Sequence, residues 1–426
     1  MLTAIQTERS VSKPWLFALA SLGSALEFYD FVVFVFLTGV VATVYFPPTM
    51  PLWSRQVQSY ALFAVGYFAR PLGGIVLAHL GDIRGRKSTF QLSVLLMAIP
   101  TLLIAVLPTY KTIGVAAPLI LMFLRIVQGI AIGGEAPAGW VYVAEQADDR
   151  RRGLAVGLLT SGLTVGIFFG SVVTTLLNRF FTPLQIEQGF WRLPFALGGV
   201  FGLTTVFLRR WLSETPVFKD LRARNALAKG VPLRTILSSC GGAFVRAVLL
   251  TWMLTAAIVV LLLMSPTLFH SLFELPIRMI QTGNLLATAA LCLSTIMFGA
   301  AYDRFGTKRV ASISIALFVL SSYALYLCAG HHPQYFIGLY GIAGLLAGCI
   351  IVAPLEMVGL FPPALRITGF AASYNIAYAV CGGVAPLAVA ALTHYSSLAA
   401  SDYIAVASSM GLVAVLTSGK TAHLAH

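Results

Sequence analysis

The heptapeptide Gly81-Asp82-Ile83-Arg84-Gly85-Arg86-Lys87 separates two long apolar stretches of this 426-residue chain. A weaker copy, Tyr302-Asp303-Arg304-Phe305-Gly306-Thr307-Lys308-Arg309, aligns with it when shifted by 221 positions, since Asp303, Gly306 and Lys308 match Asp82, Gly85 and Lys87. Each copy lies between the second and third apolar runs of its own half. A charged turn that returns half a chain later indicates two duplicated bundles of helices.

The composition places the chain in a membrane. It is 58% hydrophobic and only 10% charged, with a mean hydropathy of +0.88. A soluble chain of this length needs far more surface charge, whereas a membrane-spanning helix needs roughly 20 apolar residues. We find twelve such runs, near 15–43, 57–80, 89–108, 113–143, 154–177, 191–209, 241–268, 277–299, 310–329, 335–358, 369–393 and 402–418.

The net charge of +13 reflects membrane topology and predicts no nucleic-acid partner. One set of loops holds most of the cations, while the opposite set holds only Arg55, Lys111, Arg179, Arg192 and Arg278. Because cytoplasmic loops carry the excess of Lys and Arg, both termini are predicted to be cytoplasmic. The fold prediction is an all-α membrane protein whose twelve transmembrane helices form two pseudo-symmetric six-helix bundles. The predicted division is 1–209 and 241–418 for the bundles, 210–240 for a cytoplasmic linker and 419–426 for a cytoplasmic tail.

The side chains that metal sites and intramembrane enzymes use are scattered. The five cysteines lie singly in or near apolar runs, and the histidines lack metal-ligand spacing. Ser161 and Ser171 have no histidine in a helix expected nearby to act as a base. The sequence therefore predicts no metal, no cofactor and no enzyme.

Five charges lie deep inside the apolar runs: Glu27, Asp30, Arg70, Arg125 and Glu135. Each costs about 2.5–3.5 kcal/mol at the membrane centre, so such groups pair with each other or line a cavity. Glu27 and Asp30 are three residues apart and share a helix face. Arg70 and Arg125 are expected at a similar depth, near the midplane where transporters bind substrate. The alternative is an ion-pair network that only holds the first bundle together.

Two other patterns carry structural predictions. Gly162, Gly166 and Gly170, like Gly129 and Gly133, recur every four residues, which predicts close helix packing. Arg246 and Glu356 are near helix ends and are expected to extend their charges towards the cytoplasm.

These motifs resemble the major facilitator superfamily, and within it the metabolite:proton symporters that carry citrate, other carboxylates, shikimate, or betaine and proline. The superfamily patterns are the heptapeptide above and Arg125-Ile126-Val127-Gln128-Gly129. The narrower family is indicated by stretches 26–31, 70–74, 133–135, 191–195, 214–218 and 366–370. The resemblance implies a functional monomer in the bacterial inner membrane that moves a small molecule together with protons.

The resemblance also implies site residues. For substrate binding and proton coupling they are Glu27, Tyr29, Asp30, Arg70, Arg125, Gln128, Glu135, Asn284, Tyr374 and Asn375. For gating they are Asp82, Arg86, Lys87, Glu145, Asp149, Asp303 and Arg366. We expect Asp82 to lie near the start of the eleventh helix and Arg86 to face the acidic stretch after the fourth, where Glu145 and Asp149 lie.

The residues leave the substrate open. Arg70 and Arg125 can each bind a carboxylate bidentately, which favours a proton-coupled importer of a carboxylate. The alternative is import of a zwitterionic osmolyte such as betaine or proline, held by aromatic faces. Drug antiporters of the superfamily carry a Gly-Pro pair in the fifth helix. Here Gly166 is followed by Ile167, which argues against an efflux antiporter. A transport-inactive sensor on the same fold stays open as a further alternative.

Overall fold

The computed structural model describes residues 13–84, 86–209, 220, 222–224 and 238–418, and helices dominate them. The predicted tail 419–426 and most of the predicted linker 210–240 lie outside these residues. We number the membrane-length helices α1 to α12 in chain order. The N-terminal half contains α1 to α6, and the C-terminal half contains α7 to α12.

In the N-terminal half, short segments join the long helices: Tyr110–Ile113, a 3₁₀ turn at Asp149–Arg151, and Pro183–Gln185 followed by a π turn at Ile186–Phe190. The long helices are α1 (Lys13–Phe36, continued by Thr38–Val44), α2 (Leu52–Arg84), α3 (Arg86–Val106), α4 (Ala116–Gln146), α5 (Arg152–Phe180) and α6 (Arg192–Leu208).

In the C-terminal half, three spanning helices change their winding along their length. The helices are α7 (Gly241–Thr255, a π segment Ala256–Met264, then Ser265–Phe273), α8 (Ile277–Phe305), α9 (Thr307–His331), α10 (Phe336–Ala347, a 3₁₀ segment Gly348–Ile351, then Val352–Leu360), α11 (Arg366–Ala377, a π segment Tyr378–Gly382, then Gly383–Leu392) and α12 (Ala399–Thr417). Two 3₁₀ turns, Pro333–Tyr335 and Pro363–Leu365, precede α10 and α11.

Within the described residues, ten helices are long and apolar enough to span a membrane, and two bent pairs raise the number to twelve. The first pair bends by 62° between Phe36 and Thr38, and the second by 47° before Arg192. The predicted run 15–43 is therefore broken. The Thr38 hydroxyl donates to the carbonyl of Val35 at 2.7 Å, a local bond that competes with helix continuation.

The recurring glycines let the helices of the N-terminal half approach closely, as predicted. A Cβ added to Gly166 of α5 would overlap the carbonyl of Ala25 on α1. A Cβ at Gly129 of α4 would overlap the carbonyl of Gly66 on α2. These contacts place α1 beside α5 and α2 beside α4, which fixes the positions of the charged residues on α1, α2 and α4.

Close approach also joins the two halves, at the ends of α5 and α8 on the predicted cytoplasmic side. Gly153 and Gly299 face each other, and a Cβ on either would overlap the other's carbonyl. One turn further in, Gly157 packs against Thr295. The two halves are therefore in contact on this side of the molecule.

The prediction that Glu356 extends its charge towards the cytoplasm is wrong, since the residue is only 7% exposed. Its carboxyl group is buried instead, near Ser418 and the charge of Lys308. The ammonium of Lys308 also donates to the carbonyls of Leu416 and Ser418, at 2.9 and 2.7 Å, which ties α9 to the end of α12.

Candidate functional site

A closed polar cluster surrounds Asp30 of α1. Arg125 Nη1 lies 3.3 Å from Asp30 Oδ2, and Gln128 Nε2 donates to the same oxygen at 2.9 Å. Thr101 Oγ1 of α3 donates to Asp30 Oδ1 at 3.0 Å and accepts from Gln128 Nε2 at 2.9 Å. The structure brings Asp30, Arg125 and Gln128 together, and their part in substrate binding and proton coupling stays a prediction.

Helix periodicity and burial explain why this cluster is tight. Arg125 and Gln128 are three residues apart on one face of α4, and Arg125 Nη1 donates to Gln128 Oε1 at 2.9 Å. Asp30 is fully buried and Arg125 is 2% exposed. The guanidinium also lies 4.1 Å from the ring centre of Phe34, one turn after Asp30. Removing one partner of such a buried pair costs about 3–5 kcal/mol.

Arg70 of α2 lies where the two halves meet. Its Nε donates to Asn375 Oδ1 of α11 at 3.3 Å. Its guanidinium carbon lies 4.3 Å from the ring centre of Tyr378, 5.5 Å from that of Tyr67 and 5.6 Å from that of Tyr374. All three distances are within the range of cation–π attraction. A buried arginine beside three tyrosines thus bridges α2 and α11.

Asn375 extends this contact to a third helix. Its Nδ2 donates to the carbonyl of Gly133 on α4 at 2.7 Å and to that of Ala371 on α11 at 2.8 Å. The amide has room to reach the α4 backbone because Gly74 of α2 carries no side chain, and a Cβ there would lie 2.5 Å from Asn375 Nδ2. Arg70, Tyr374 and Asn375 are therefore brought together at a boundary that includes both halves.

The structure separates Glu135 from these clusters. Its Oε1 lies 2.7 Å from Nη2 of Arg209, at the end of α6, and its Oε2 accepts a hydrogen bond from Ser93 of α3. Glu135 is ten residues beyond Arg125 on α4, which amounts to about 15 Å along the axis and a different face. Glu135 therefore belongs to neither cluster, and its part in proton coupling stays a prediction.

Two further predicted residues lie elsewhere. Tyr29 points away from Asp30's partners, and its hydroxyl donates to the carbonyl of Pro194 on α6 at 2.8 Å. Asn284 of α8 donates to the carbonyl of Leu262 and to the hydroxyl of Tyr340, both at 2.8 Å. The π segment of α7 leaves carbonyls such as that of Leu262 open to side chains. Both residues make contacts within their own half.

The predicted gating residues form two contacts between the halves. Asp303, at the end of α8, accepts from the backbone N–H groups of Gly153 and Leu154 at 2.7 and 2.8 Å. These N–H groups belong to the first turn of α5, where the helix dipole favours an anion. Arg366, in the first turn of α11, forms the second contact through its Nη1, 2.8 Å from Glu145 Oε1 at the end of α4.

The Glu145–Arg366 pair was not predicted as a pair. Each side chain is only 1% exposed, and they join residues 221 positions apart. The side chains of Glu27, Asp82, Arg86 and Asp149 lie outside the described part of the structure, and so do the contacts predicted for them. Gly81 of α2 packs on Ile367, so the end of α2 lies beside the start of α11, while Lys87 is half-buried in the first turn of α3.

Sequence reasoning missed several uncharged members of the site. Thr101 completes the Asp30 cluster, Tyr67 faces Arg70, and Trp140 of α4 stacks on Phe370 of α11 with ring centres 5.6 Å apart. Threonine and aromatic residues are common in apolar helices, so they carry little signal. The helix position of Tyr67, three residues before Arg70, is the one feature that could have identified it.

Comparisons with known proteins point to one family. The model of the family described as "Sugar (and other) transporter" matches residues 16–236, just over half of the chain. The chain is 31% identical over 419 residues to the inner membrane metabolite transport protein YhjE of Escherichia coli, with 94% of this chain and 93% of that protein covered. It is 30% identical over 420 residues to the proline/betaine transporter of the same organism, with 95% and 83% covered.

Solved structures show the fold. The proton:xylose symporter XylE bound to 6-bromo-6-deoxy-D-glucose superposes with a TM-score of 0.77 at 17% identity, covering 95% of this chain and 94% of that chain. The inward-open conformation of XylE from E. coli superposes with a TM-score of 0.70 at 18% identity, covering 95% and 97%. Family and fold are those of transporters and not of enzymes. The chain belongs to the sugar (and other) transporter family of the major facilitator superfamily.

Proposed function

We propose that this chain is a monomeric, proton-coupled importer in the bacterial inner membrane. It carries a small organic solute that bears a carboxylate, by alternating access. The single observation that carries the proposal is the ion pair of Asp30 and Arg125, 3.3 Å apart and buried within one half. Titratable groups kept inside a membrane mark proton pathways.

Asp30 is the proposed proton carrier. It has three partners on two other helices, so its charged form holds α1, α3 and α4 together. Protonation of Asp30 neutralises its carboxylate and so removes the ion pair with Arg125. The buried guanidinium then lacks its counter-charge, and α1 is held less tightly to α4. Glu135 is the second candidate, but its contacts with Arg209 and Ser93 favour a role in joining α4 to α6 and α3.

The surroundings of Arg70 support a zwitterionic substrate. An arginine fork binds a carboxylate in two parallel hydrogen bonds. The rings of Tyr67, Tyr374 and Tyr378 attract a cationic ammonium group, which carries no donor when it is fully methylated. Both kinds of group meet at the boundary between the halves. We therefore favour a betaine or proline class of solute, which reverses the order drawn from the sequence. A carboxylate without a cationic group is the second candidate, supported by the arginines alone.

Transport into proteoliposomes tests this proposal. Radiolabelled betaine, proline, citrate and shikimate are supplied under an inward proton gradient. We expect betaine or proline to accumulate above equilibrium. Tyr378→Leu should weaken apparent affinity at least tenfold because it removes the ring, while Tyr378→Phe keeps the ring and should bind almost normally.

Two results would overturn parts of the proposal. Accumulation of citrate or shikimate without betaine or proline would restore the plain carboxylate. The absence of accumulation for every solute, with folded protein in the vesicles, would favour the sensor.

A further inference from the structure

A groove opens on the surface of the N-terminal half, near the predicted outer ends of α2 and α4. It has a volume of about 360 Å³. Its walls include Leu62 and Val65 of α2, Leu119 and Met122 of α4, and Phe46 after α1. Almost all of the surface that lines it is apolar. Gln58 and Tyr110 supply polar groups at the end nearest the loops.

This groove faces lipid. Ala61, Val65, Phe68 and Leu72 share one face of α2, and Phe68 and Leu72 are 64% and 57% exposed. Arg70 contacts the other half from the opposite face of the same helix. A large apolar side chain that is this exposed at membrane depth contacts acyl chains.

Two cations flank the polar end of the groove. Arg55 lies one turn before Gln58 on α2, and its Nε is buried without a hydrogen-bond partner among the described residues. Lys111 follows Tyr110 directly and is exposed. Both lie near helix ends on the predicted outer side, where cations are few.

No acidic residue lies close in sequence to these two cations. The sequence contains no acidic residue from 31 to 81 or from 83 to 134. Two of the three remaining cations of this side differ: Arg278 follows Glu274 by four residues, and Arg192 follows Glu187 by five. The positive charges of Arg55 and Lys111 therefore lie at the end of an apolar groove, at the level of the lipid headgroups. This arrangement is complementary to an anionic lipid.

We propose that this groove is a binding site for an anionic phospholipid of the outer leaflet. One acyl chain lies between α2 and α4, and the phosphate contacts Arg55 and Lys111. This site is separate from the proposed substrate route and does not depend on it. A bound lipid there would join the start of α2 to that of α4, the two helices that carry Arg70 and Arg125.

Native mass spectrometry of the purified chain tests the proposal, with dioleoyl phosphatidylglycerol as probe and dioleoyl phosphatidylcholine as the neutral reference. We expect the parent to retain phosphatidylglycerol preferentially. Each cation near the membrane surface contributes about fivefold, so the double variant R55Q/K111Q should bind roughly 30-fold more weakly. Ala61→Trp should also weaken binding because the indole fills the groove.

Arg278→Gln is the matched control, since it removes an exposed cation of the same side from the other half. It should bind like the parent. Equal retention by R55Q/K111Q and the parent overturns the proposal. Unchanged binding by Ala61→Trp overturns the groove as the acyl-chain site. A loss in Arg278→Gln as large as that in R55Q/K111Q overturns a localised site in favour of general surface charge.

Discussion

The Asp30 cluster depends on a single hydroxyl as much as on its charges. Thr101 Oγ1 donates to Asp30 at 3.0 Å and accepts from Gln128 at 2.9 Å. It also lies 2.9 Å from the carbonyl of Met97 in its own helix. The hydroxyl therefore connects α3 to the ion pair between α1 and α4.

We predict that Thr101→Val weakens this cluster, since valine keeps the shape and removes the hydroxyl. A buried carboxylate that loses a donor costs about 1–3 kcal/mol of stability. Proton-driven uptake should fall as well. Thr174→Val is the matched control, because among the residues that the structure describes the Thr174 hydroxyl bonds only to the carbonyls of Gly170 and Ser171 in its own helix. Thermal unfolding and uptake measure both variants, and equal behaviour of the two would leave Thr101 without a role.

At this scale the sequence identified the charges and some of their neutral partners, such as Gln128 and Asn375, but it missed Thr101 and Tyr67. Asp30, Arg70 and Arg125 were found because a membrane excludes charge, which makes each retained charge informative. Thr101 and Tyr67 have no such signal, since their side chains are tolerated at any membrane depth. Glu135 lies apart from Arg125 in both depth and helix face, and its contacts with Arg209 and Ser93 were not predicted.

Among the elements, the end of α8 and the start of α5 form one of the contacts between the halves on the predicted cytoplasmic side. Asp303 bonds two N–H groups of α5, and its charge complements the helix dipole. We predict that Asp303→Asn slows transport and favours the inward-open form. Thiol labelling of a single cysteine reports this change. The native cysteines are first removed, and Thr295, which is buried where α8 packs against α5, is then replaced by cysteine. Labelling equal to that of the same chain with Asp303 would contradict a gating role.

The glycine contact between the same helices gives a second prediction. Gly299→Ala places a methyl group on the carbonyl of Gly153, so the two ends cannot close. We expect transport to fall at least tenfold with the cytoplasmic side held open. Gly338→Ala of α10 is the control, since its added methyl group meets no atom within 4 Å. Normal transport by Gly299→Ala, measured beside that control, would show that close approach here is dispensable.

The number of spanning helices could be predicted from the sequence, but not which of their segments wind as π-helix. Apolar runs of membrane length indicated twelve helices, because each span must satisfy its own backbone hydrogen bonds. The π segment Ala256–Met264 is uniformly aliphatic, so its pattern is the same for α and π winding. Its carbonyls are matched by Asn284 and Tyr340, which lie far away in sequence.

Across the whole molecule, Glu145 and Arg366 join the halves through one buried ion pair, 2.8 Å long. We predict that Glu145→Gln or Arg366→Gln alone slows transport, because each leaves a buried charge without this partner. The exchanged pair E145R/R366E should recover part of the rate, since the two single effects are coupled. Uptake rates for the four proteins give the coupling energy. Additive losses would argue against a shared gate.

The ion pair of Glu145 and Arg366 could not be predicted from the sequence. Both residues were assigned to gating, yet Glu145 was expected to face Arg86. Residues of the same half are near in sequence and easily paired, whereas α4 and α11 meet only once both bundles have formed. The duplicated heptapeptide predicted two bundles, but it does not determine how the bundles dock.

Proton coupling through Asp30 is the central claim about the molecule, and one measurement tests it most directly. Proteoliposomes are given radiolabelled betaine or proline, whichever the parent transports, while an internal dye follows proton entry. We predict that the parent takes up protons with solute and accumulates the solute. Asp30→Asn should lose proton entry and accumulation yet still exchange labelled for unlabelled solute. Normal accumulation and proton entry in Asp30→Asn would contradict the claim.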